Sequence, residues 1–507
     1  MDLSDLIERN AAFTPDKSAI IFEGESLSYA AFNARIEQTA RALKAEFGVS
    51  RGDRVAILSL NRPDYLVLLY ACARLGAMLV PLNWRLAAAE QLFILTDASA
   101  KVLVLEQAFA EILPALEKIL PDASVVGLDF APPKGISFDA LLKRGHGDGR
   151  NPHTDLSCPL LIVYTSGTTG RPKGAMLAHC NIIHSAMIYE ACMELTSADR
   201  SIAAVPLAHV TGVVANIMSM VRCAGTLIIV AEFKAAEYLK IAARERVTQT
   251  VMVPAMYNLC LLQADFDGYD LRAWRIGGFG GAPMPIATIE KLAVKLPGLK
   301  LINAYGSTET TSPSTIMPPE LTAAHIDSVG LPCPGADIIV VDAGGRELPR
   351  GEIGEIWIRS ASVIGGYWNN PNATAESFTG GFWHSGDLGS IDAENFVRVF
   401  DRQKDMINRG GLKIYSAEVE SVLAGHPDVV ESAIIAKPCP VLGERVHAVI
   451  VVRNSVSAEA LRAWCAERLS DYKVPETIDL TAEPLPRNAN GKVMKRQLRE
   501  AWAAGQS

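Results

Sequence analysis

Between Tyr164 and Gly174 the chain reads Tyr-Thr-Ser-Gly-Thr-Thr-Gly-Arg-Pro-Lys-Gly. Glycines at 167, 170 and 174 free the backbone to turn its N–H groups toward one point. Ser166, Thr168 and Thr169 add neutral hydroxyl donors, and Lys173 adds a positive charge. Several aimed donors and one cation make a cradle for phosphate. Clusters of this composition are most often plain loops, so context has to decide. The helix-opening Gly-Lys-Ser/Thr loop is a poor fit, because Lys173 follows Pro172 and precedes Gly174, and Pro172 biases Arg171 to an extended shape.

Further stretches carry groups that could serve the same anion. Gly277-Gly-Phe-Gly-Gly-Ala-Pro-Met284 has four glycines in five residues, which allows close approach to its backbone. Asn303-Ala-Tyr-Gly-Ser-Thr-Glu309 places an aromatic ring, two hydroxyls and a carboxylate just beyond a strand reading from Lys300, where open α/β sheets bind ligands. Trp383-His-Ser-Gly-Asp-Leu388 offers Asp387, an acceptor-only carboxylate, and Arg402 follows in Asp401-Arg-Gln-Lys-Asp405. Gly410 and Gly411 lie within Asp405–Glu420. Near the end, Leu485-Pro-Arg-Asn-Ala-Asn-Gly-Lys-Val493 sets Lys492 on a loop, where a long flexible cation can reach. Taken singly, a surface acid, a turn aspartate or a terminal lysine would be the ordinary reading of each.

In this order and spacing, residues 164 to 493 resemble the motifs of the adenylate-forming ligases, the superfamily of acyl-CoA and aryl-CoA synthetases, luciferases and peptide-synthetase adenylation domains. The resemblance implies that Thr165, Ser166, Gly167, Thr168, Thr169 and Lys173 hold the phosphates of ATP. It implies that Gly281, Ala282 and Pro283 wall the nucleotide, that Gly280 and His209 border the acyl pocket, and that Ala304, Tyr305 and Gly306 take the adenine. Thr308 would touch the α-phosphate, Glu309 would hold Mg²⁺, and Asp387 and Arg402 would bind ribose or phosphate oxygens. Lys404 occupies the hinge position, Gly410 and Gly411 the wall of a pantetheine tunnel for CoA, and Lys492 the place of the catalytic cation beside Glu309 and Thr168. Two residues depart from the pattern: Phe279 where a small hydroxyl residue is usual, and Ser385 where threonine is usual.

The elements needed to position these groups are legible upstream. Pro159–Thr165 reads as a buried strand and Ser28 as the cap of a helix that Gly48 closes. Arg54–Leu60, Ala77–Leu82 and Lys101–Glu106 read as strands, alternating with helices from Pro63 and around Ala87–Leu95. The pattern is that of parallel α/β sheets, resuming after residue 176 and running to about 300. His209–Ala231 is apolar but broken by Arg222 and Gly225, too short to span a membrane, and reads as a helix at Gly212–Met220 and a strand at Thr226–Val230. From about 330 to 400 short strands and turns suggest a small β subdomain of a large domain, 1–400. A polar linker at 401–404 then leads to an α+β lid at 405–507, with helices at 417–424 and 458–469 and strands at 429–436 and 446–452.

At 507 residues the chain exceeds one core, and 21% charged residues with 49% apolar ones describe a globular protein. The net charge of −8 argues against nucleic acid or an anionic membrane as main partner, so a bound polyanion needs local cations. Nine scattered cysteines without a Cys-x-x-Cys point to reduced thiols, and no signal segment opens the chain, so the cytoplasm is expected. The expected activity is an ATP-dependent acid:CoA ligase, using ATP, Mg²⁺ and CoA, on a monoacid with a neutral fatty or aryl tail. No Arg or Lys falls within 206–212 or 253–257 to pair a second carboxylate. An enzyme loading a carrier-protein thiol, a luciferase-like oxygenase and a nucleotide-binding homologue without turnover are the alternatives. A homo-oligomer is compatible with this reading.

Overall fold

The computed structural model describes residues 2–151, 153–165, 172–488 and 491–504. Local chemistry sets the element ends. Ser28 caps the helix Tyr29–Phe47 by accepting from the Ala31 amide at 3.2 Å, Phe32, Ile36, Ala40 and Leu43 are buried along one face, and Gly48 ends it at φ +60°. Pro63 opens the helix Pro63–Leu75, and Gly76 closes it at φ +66°.

The chain divides into two compact units, one of Met1–Met284, Glu290–Asp337 and Ile358–Trp383, the other of Pro285–Ile289, Ile338–Trp357 and His384–Ser507. The first holds two large sheets. One has seven strands, in the order Ile136–Ser137, Ser124–Gly127, Val102–Leu105, Arg54–Leu58, Met78–Leu82, Pro159–Thr165 and Lys173–Ala178. All neighbours are parallel except the last pair. The other has nine strands, six of them parallel in the order Lys300–Tyr305, Ile276–Phe279, Gln249–Met252, Arg200–Ala203, Thr226–Ile229 and Ser18–Phe22. This is the expected α/β class. Helices cover the sheets, and the buried strand residues alternate between faces.

One local feature adds to the expected pattern and one corrects it. The alternation expected after residue 176 is present, as the helix His179–Cys192 and the strand Arg200–Ala203, but it is preceded by an unanticipated strand, Lys173–Ala178, antiparallel to Pro159–Thr165. Gly174 permits that return: a Cβ there would lie 2.7 Å from Ile162 Cγ2 and 3.1 Å from Tyr164 Cζ. The apolar run after His209 is not one α-helix. Thr211–Met218 winds as a π-helix, continued by the α-helix Ser219–Cys223, and such wide turns cluster at functional sites.

In the second unit the stretch 387–391 pairs antiparallel with the strand Val397–Arg402, so Asp401 and Arg402 finish a strand and the turn comes at 403–405. The C-terminal part is a five-stranded sheet with the helices Ser416–Ala424 and Ala458–Ala466. Ile407, Ile414, Val419, Leu423, Ile434 and Leu461 form its core. Among the described residues no helix is long and apolar enough to cross a membrane.

Candidate active site

In the first unit the two ends of the glycine-rich stretch, Thr165 and Lys173, belong to paired antiparallel strands. They face each other, with Thr165 Oγ1 3.5 Å from the Lys173 carbonyl. Ser166, Gly167, Thr168 and Thr169 lie outside the described residues. Lys173 Nζ sits 5.2 Å from the ring centroid of Tyr367, a cation over an aromatic face. The Tyr367 hydroxyl donates to Glu309 Oε1 at 3.0 Å. Tyr367 therefore ties the loop's lysine to the carboxylate expected to face a metal.

The backbone fixes that line of three residues at each point. Ala175 and Tyr367 form an isolated bridge, Trp368 N donates to the Gly174 carbonyl at 2.7 Å, and Ile364 N donates to the Glu309 carbonyl at 2.9 Å. Burial, then the Glu309 charge, pushes the Tyr367 hydroxyl well above its ordinary pKa, so it remains a donor. Tyr367 was not singled out from the sequence. Its signal was the Gly365-Gly-Tyr-Trp368 cluster, which reads as a turn until its partners are known.

Beside it, Lys300–Tyr305 ends at the C-terminal edge of the parallel strands, and Tyr305 pairs with Thr315 of a short return strand. The loop between is self-supporting: Ser307 N donates to Thr310 Oγ1 at 3.0 Å, Thr311 N to the Thr308 carbonyl at 3.0 Å, and Ser314 N to the Tyr305 carbonyl at 2.7 Å. This leaves Tyr305, Gly306, Thr308 and Glu309 half-buried. Just past the neighbouring strand Ile276–Phe279, Gly280 comes so close that a Cβ would lie 2.4 Å from the Ala304 carbonyl oxygen. Gly281 follows at φ +78°, and Gly281, Ala282 and Pro283 are exposed. Phe279 pairs with Met252 and is buried on the face opposite Val251, so its bulk stays off the Val251 side of the sheet. His209 is half-buried, its Nε2 3.3 Å from Asn83 Nδ2.

In the second unit Asp387 and Arg402 are cross-strand partners joined by an ion pair of 2.8 Å. Arg402 Nη1 also donates to the Ser385 carbonyl at 3.0 Å, and the Ser385 hydroxyl accepts from Asp387 N at 2.9 Å. The hydroxyl that Ser385 shares with threonine is the part in use. Lys404 is exposed in the turn after that strand. Gly410 and Gly411 form the two-residue turn between Ile407–Arg409 and Leu412–Ile414, at φ +61° and +93°. Gly410 N donates to the Leu442 carbonyl at 2.7 Å, and Gly411 N to Asn408 Oδ1 at 3.0 Å. Lys492 is exposed on a loop whose backbone is pinned by Asn488: Lys492 N donates to Asn488 Oδ1 and Asn488 N to the Lys492 carbonyl, both at 2.9 Å.

The donor set fits Mg²⁺ in one respect. Glu309 is a single half-buried carboxylate with one oxygen already held by Tyr367, and a metal that keeps phosphate oxygens and waters asks for few carboxylates. Among the described residues no group of three or more His, Cys, Asp or Glu is arranged to cage a metal unaided.

Comparison with known proteins agrees along the whole chain. Residues 7–368 match the family model described as AMP-binding enzyme, and residues 418–492 match the AMP-binding enzyme C-terminal domain. The indoleacetate–CoA ligase of Aromatoleum aromaticum is 36% identical, covering 99% of this chain and 98% of its own length. The fatty acid–[acyl-carrier-protein] ligase ScoC of Streptomyces coeruleorubidus is 33% identical, over 97% of this chain and 95% of its own. Among solved structures, o-succinylbenzoate coenzyme A synthetase of Bacillus subtilis in complex with ATP and magnesium ion superimposes with a TM-score of 0.87 at 31% identity, covering 97% of this chain and 98% of its own.

Proposed function

Since this chain belongs to the AMP-binding enzyme family and is an acid–thiol ligase with acyl-CoA and aryl-CoA ligases as relatives, we propose that it activates a monocarboxylic acid with a neutral tail as an acyl-adenylate and passes the acyl group to CoA. The observation that carries the reading is the Lys173, Tyr367 and Glu309 line at the foot of the glycine-rich hairpin.

In the first half-reaction a carboxylate oxygen attacks the α-phosphorus of ATP and pyrophosphate leaves. Negative charge accumulates between two anions, so catalysis requires cations and aimed donors rather than a covalent nucleophile. Lys173 and the loop from Thr165 hold phosphate oxygens, and Thr308 donates at the α-phosphate. Mg²⁺ bound at Glu309 would supply further positive charge to the phosphates. Tyr305 and Ala304 take the adenine, Asp387 and Arg402 the ribose, and Lys492 meets the acid's carboxylate. In the second half-reaction the CoA thiol attacks the acyl carbon and AMP leaves, with Gly410 and Gly411 lining the path of the pantetheine arm. The residues after Lys404 exchange Lys492 for that arm between the two steps. The reading keeps the enzyme in the cytoplasm, where its nine cysteines stay reduced.

The acid is a fatty or aryl monoacid, and the name of the indoleacetate–CoA ligase favours an aryl one. A carrier-protein thiol as acceptor is the second reading, favoured by the name of the fatty acid–[acyl-carrier-protein] ligase. Pyrophosphate release from ATP across a panel of carboxylic acids, with and without CoA, tests both. We expect an acid-dependent burst without CoA and steady turnover with it. A burst that CoA does not convert to turnover, but a carrier protein does, selects the second reading.

A further inference from the structure

We infer that Arg487, gripped by Glu431, is a positioning residue for adenylation: it fixes the backbone from which Lys492 is delivered to the acid's carboxylate. The inference rests on the ligase reading above and extends it to residues that touch no substrate.

The residues concerned all lie in the second unit. Glu431 projects from the strand Val429–Cys439 on the same face as Ala433, two residues on. Leu485 packs with Ala433 and Val451 in one apolar cluster, and Val493 adjoins it. The loop between Leu485 and Val493 therefore has both feet on this sheet. Glu431 holds the first foot with two oxygens: Oε1 accepts from Leu485 N at 2.8 Å, and Oε2 accepts from Arg487 Nη2. The other arm of the guanidinium, Nη1, donates to the Gly491 carbonyl at 2.6 Å. Arg487 thus spans the loop, from the sheet to the residue before Lys492.

What this does to Lys492 follows from the planarity of the peptide bond. The peptide joining Gly491 to Lys492 is held at its oxygen by Arg487 and at its nitrogen by Asn488 Oδ1, 2.9 Å away. The next peptide is held at its oxygen by Asn488 N, also at 2.9 Å. Both planes that meet at the Lys492 Cα are pinned, so its φ and ψ are set although it is exposed and follows a glycine at φ +76°. A four-carbon stem reaches far, but it brings its charge to one point only from a fixed root. Misplacing a reacting group by about 1 Å costs on the order of a hundredfold in rate.

The geometry argues against two simpler roles. Arg487 is not a second substrate-facing cation, because each terminal nitrogen of its guanidinium already has an acceptor. Nor is the pair chiefly a stabiliser. The Arg487 and Glu431 side chains are 44% and 19% exposed, and ion pairs so open to water contribute little to folding.

The test measures adenylation as acid-dependent pyrophosphate release and, separately, thioester formation from a supplied acyl-adenylate. The variants are Arg487→Met, Arg487→Lys and Glu431→Gln, each also combined with Lys492→Ala. Arg487→Met and Glu431→Gln should lower kcat for adenylation at least about tenfold, with KM for ATP, thioester formation and Tm little changed. Arg487→Lys should not restore the rate, since an ammonium keeps the charge but loses the planar two-armed reach. In the Lys492→Ala background none of the three should lower the remaining adenylation further, because the brace acts through that lysine alone. Glu431→Gln, which leaves the shape unchanged, keeps the test decisive should Arg487→Met not fold. Unchanged adenylation, equal loss in both half-reactions, a further loss without Lys492, or full rescue by Arg487→Lys each overturns the inference, while turnover shows that the ligase reading stands. Absence of pyrophosphate release from the wild type with every acid removes that reading and this inference with it.

Discussion

The hydroxyl of Tyr367 donates to Glu309 Oε1 at 3.0 Å, and the same ring lies 5.2 Å beneath the ammonium of Lys173. One side chain thereby sets the spacing between the cation proposed to meet phosphate and the carboxylate proposed to hold Mg²⁺. Partners of this kind fix the orientation of a ligand, and losing one costs more than the bond's net contribution because the carboxylate is then free to turn.

Tyr367→Phe keeps the ring under Lys173 and deletes only the donor. Hydrogen bonds to charged groups contribute about 1.5 to 3 kcal/mol. The expected result is a rise of roughly tenfold or more in the Mg²⁺ concentration needed for half-maximal adenylation, together with weaker ATP binding by calorimetry. The KM for the acid should hold steady. Equal loss in all three would mean that Tyr367 supports the fold and not the metal site.

Lys492→Ala should separate the half-reactions. If Lys492 acts as an aimed donor to the acid's carboxylate, its removal costs about 3 to 4 kcal/mol, a hundred- to a thousandfold in adenylation. Thioester formation from a supplied acyl-adenylate should proceed nearly unchanged. Parallel collapse of both steps would refute the division of labour.

How much of this was legible beforehand follows from the range of each interaction. The nucleotide motifs were readable because each is a short run of special backbone and polar groups, and the loops at 277–284, 303–309 and 410–411 do sit at strand ends. The strands before residue 165 were readable from uninterrupted apolar runs. Three features were not. The hairpin return at Lys173–Ala178 depends on Gly174 admitting Ile162 and Tyr164, a contact between two strands. The π-helical winding of Thr211–Met218 leaves the apolar pattern of an α-helix almost unchanged. Tyr367 gains meaning only from partners that lie far along the chain.

Asp387 and Arg402 test the second unit. Asp387 is buried and its ion pair with Arg402 is 2.8 Å, so its carboxylate is oriented before any ribose arrives. Asp387→Asn keeps the shape but removes the charge and one strong acceptor, and should raise the KM for ATP by about ten- to a hundredfold at little cost in stability. Differential scanning calorimetry beside the kinetics checks this. A large fall in Tm would mean that the pair is structural.

Gly411 stands at φ +93°, where side chains other than glycine are strained, yet a Cβ there would meet nothing within 4 Å. Gly411→Ala therefore acts through backbone strain of about 1 to 2 kcal/mol in one hairpin turn. The expected effect is a raised KM for CoA with the adenylation rate unchanged. A loss confined to adenylation would contradict the place given to the turn.

His447 should make the C-terminal part sensitive to acid. It is fully buried, its Nδ1 2.7 Å from Thr477 Oγ1 and its Nε2 3.1 Å from Asp479, with Lys437 nearby. Burial, then the Lys437 charge, lowers its pKa to about 4, the Asp479 carboxylate opposing only in part. Between pH 4 and the unfolded value of about 6.5 the unfolded chain binds a proton that the folded chain does not. Stability is therefore fully present above that range, falls as the pH drops through it, and levels off below about 4, the loss reaching up to ~3 kcal/mol. Urea unfolding followed from pH 7.5 to 4.5 should show a steeper decline in the wild type than in His447→Gln, which keeps polar atoms but takes up no proton. Parallel curves would place the acid sensitivity in other groups.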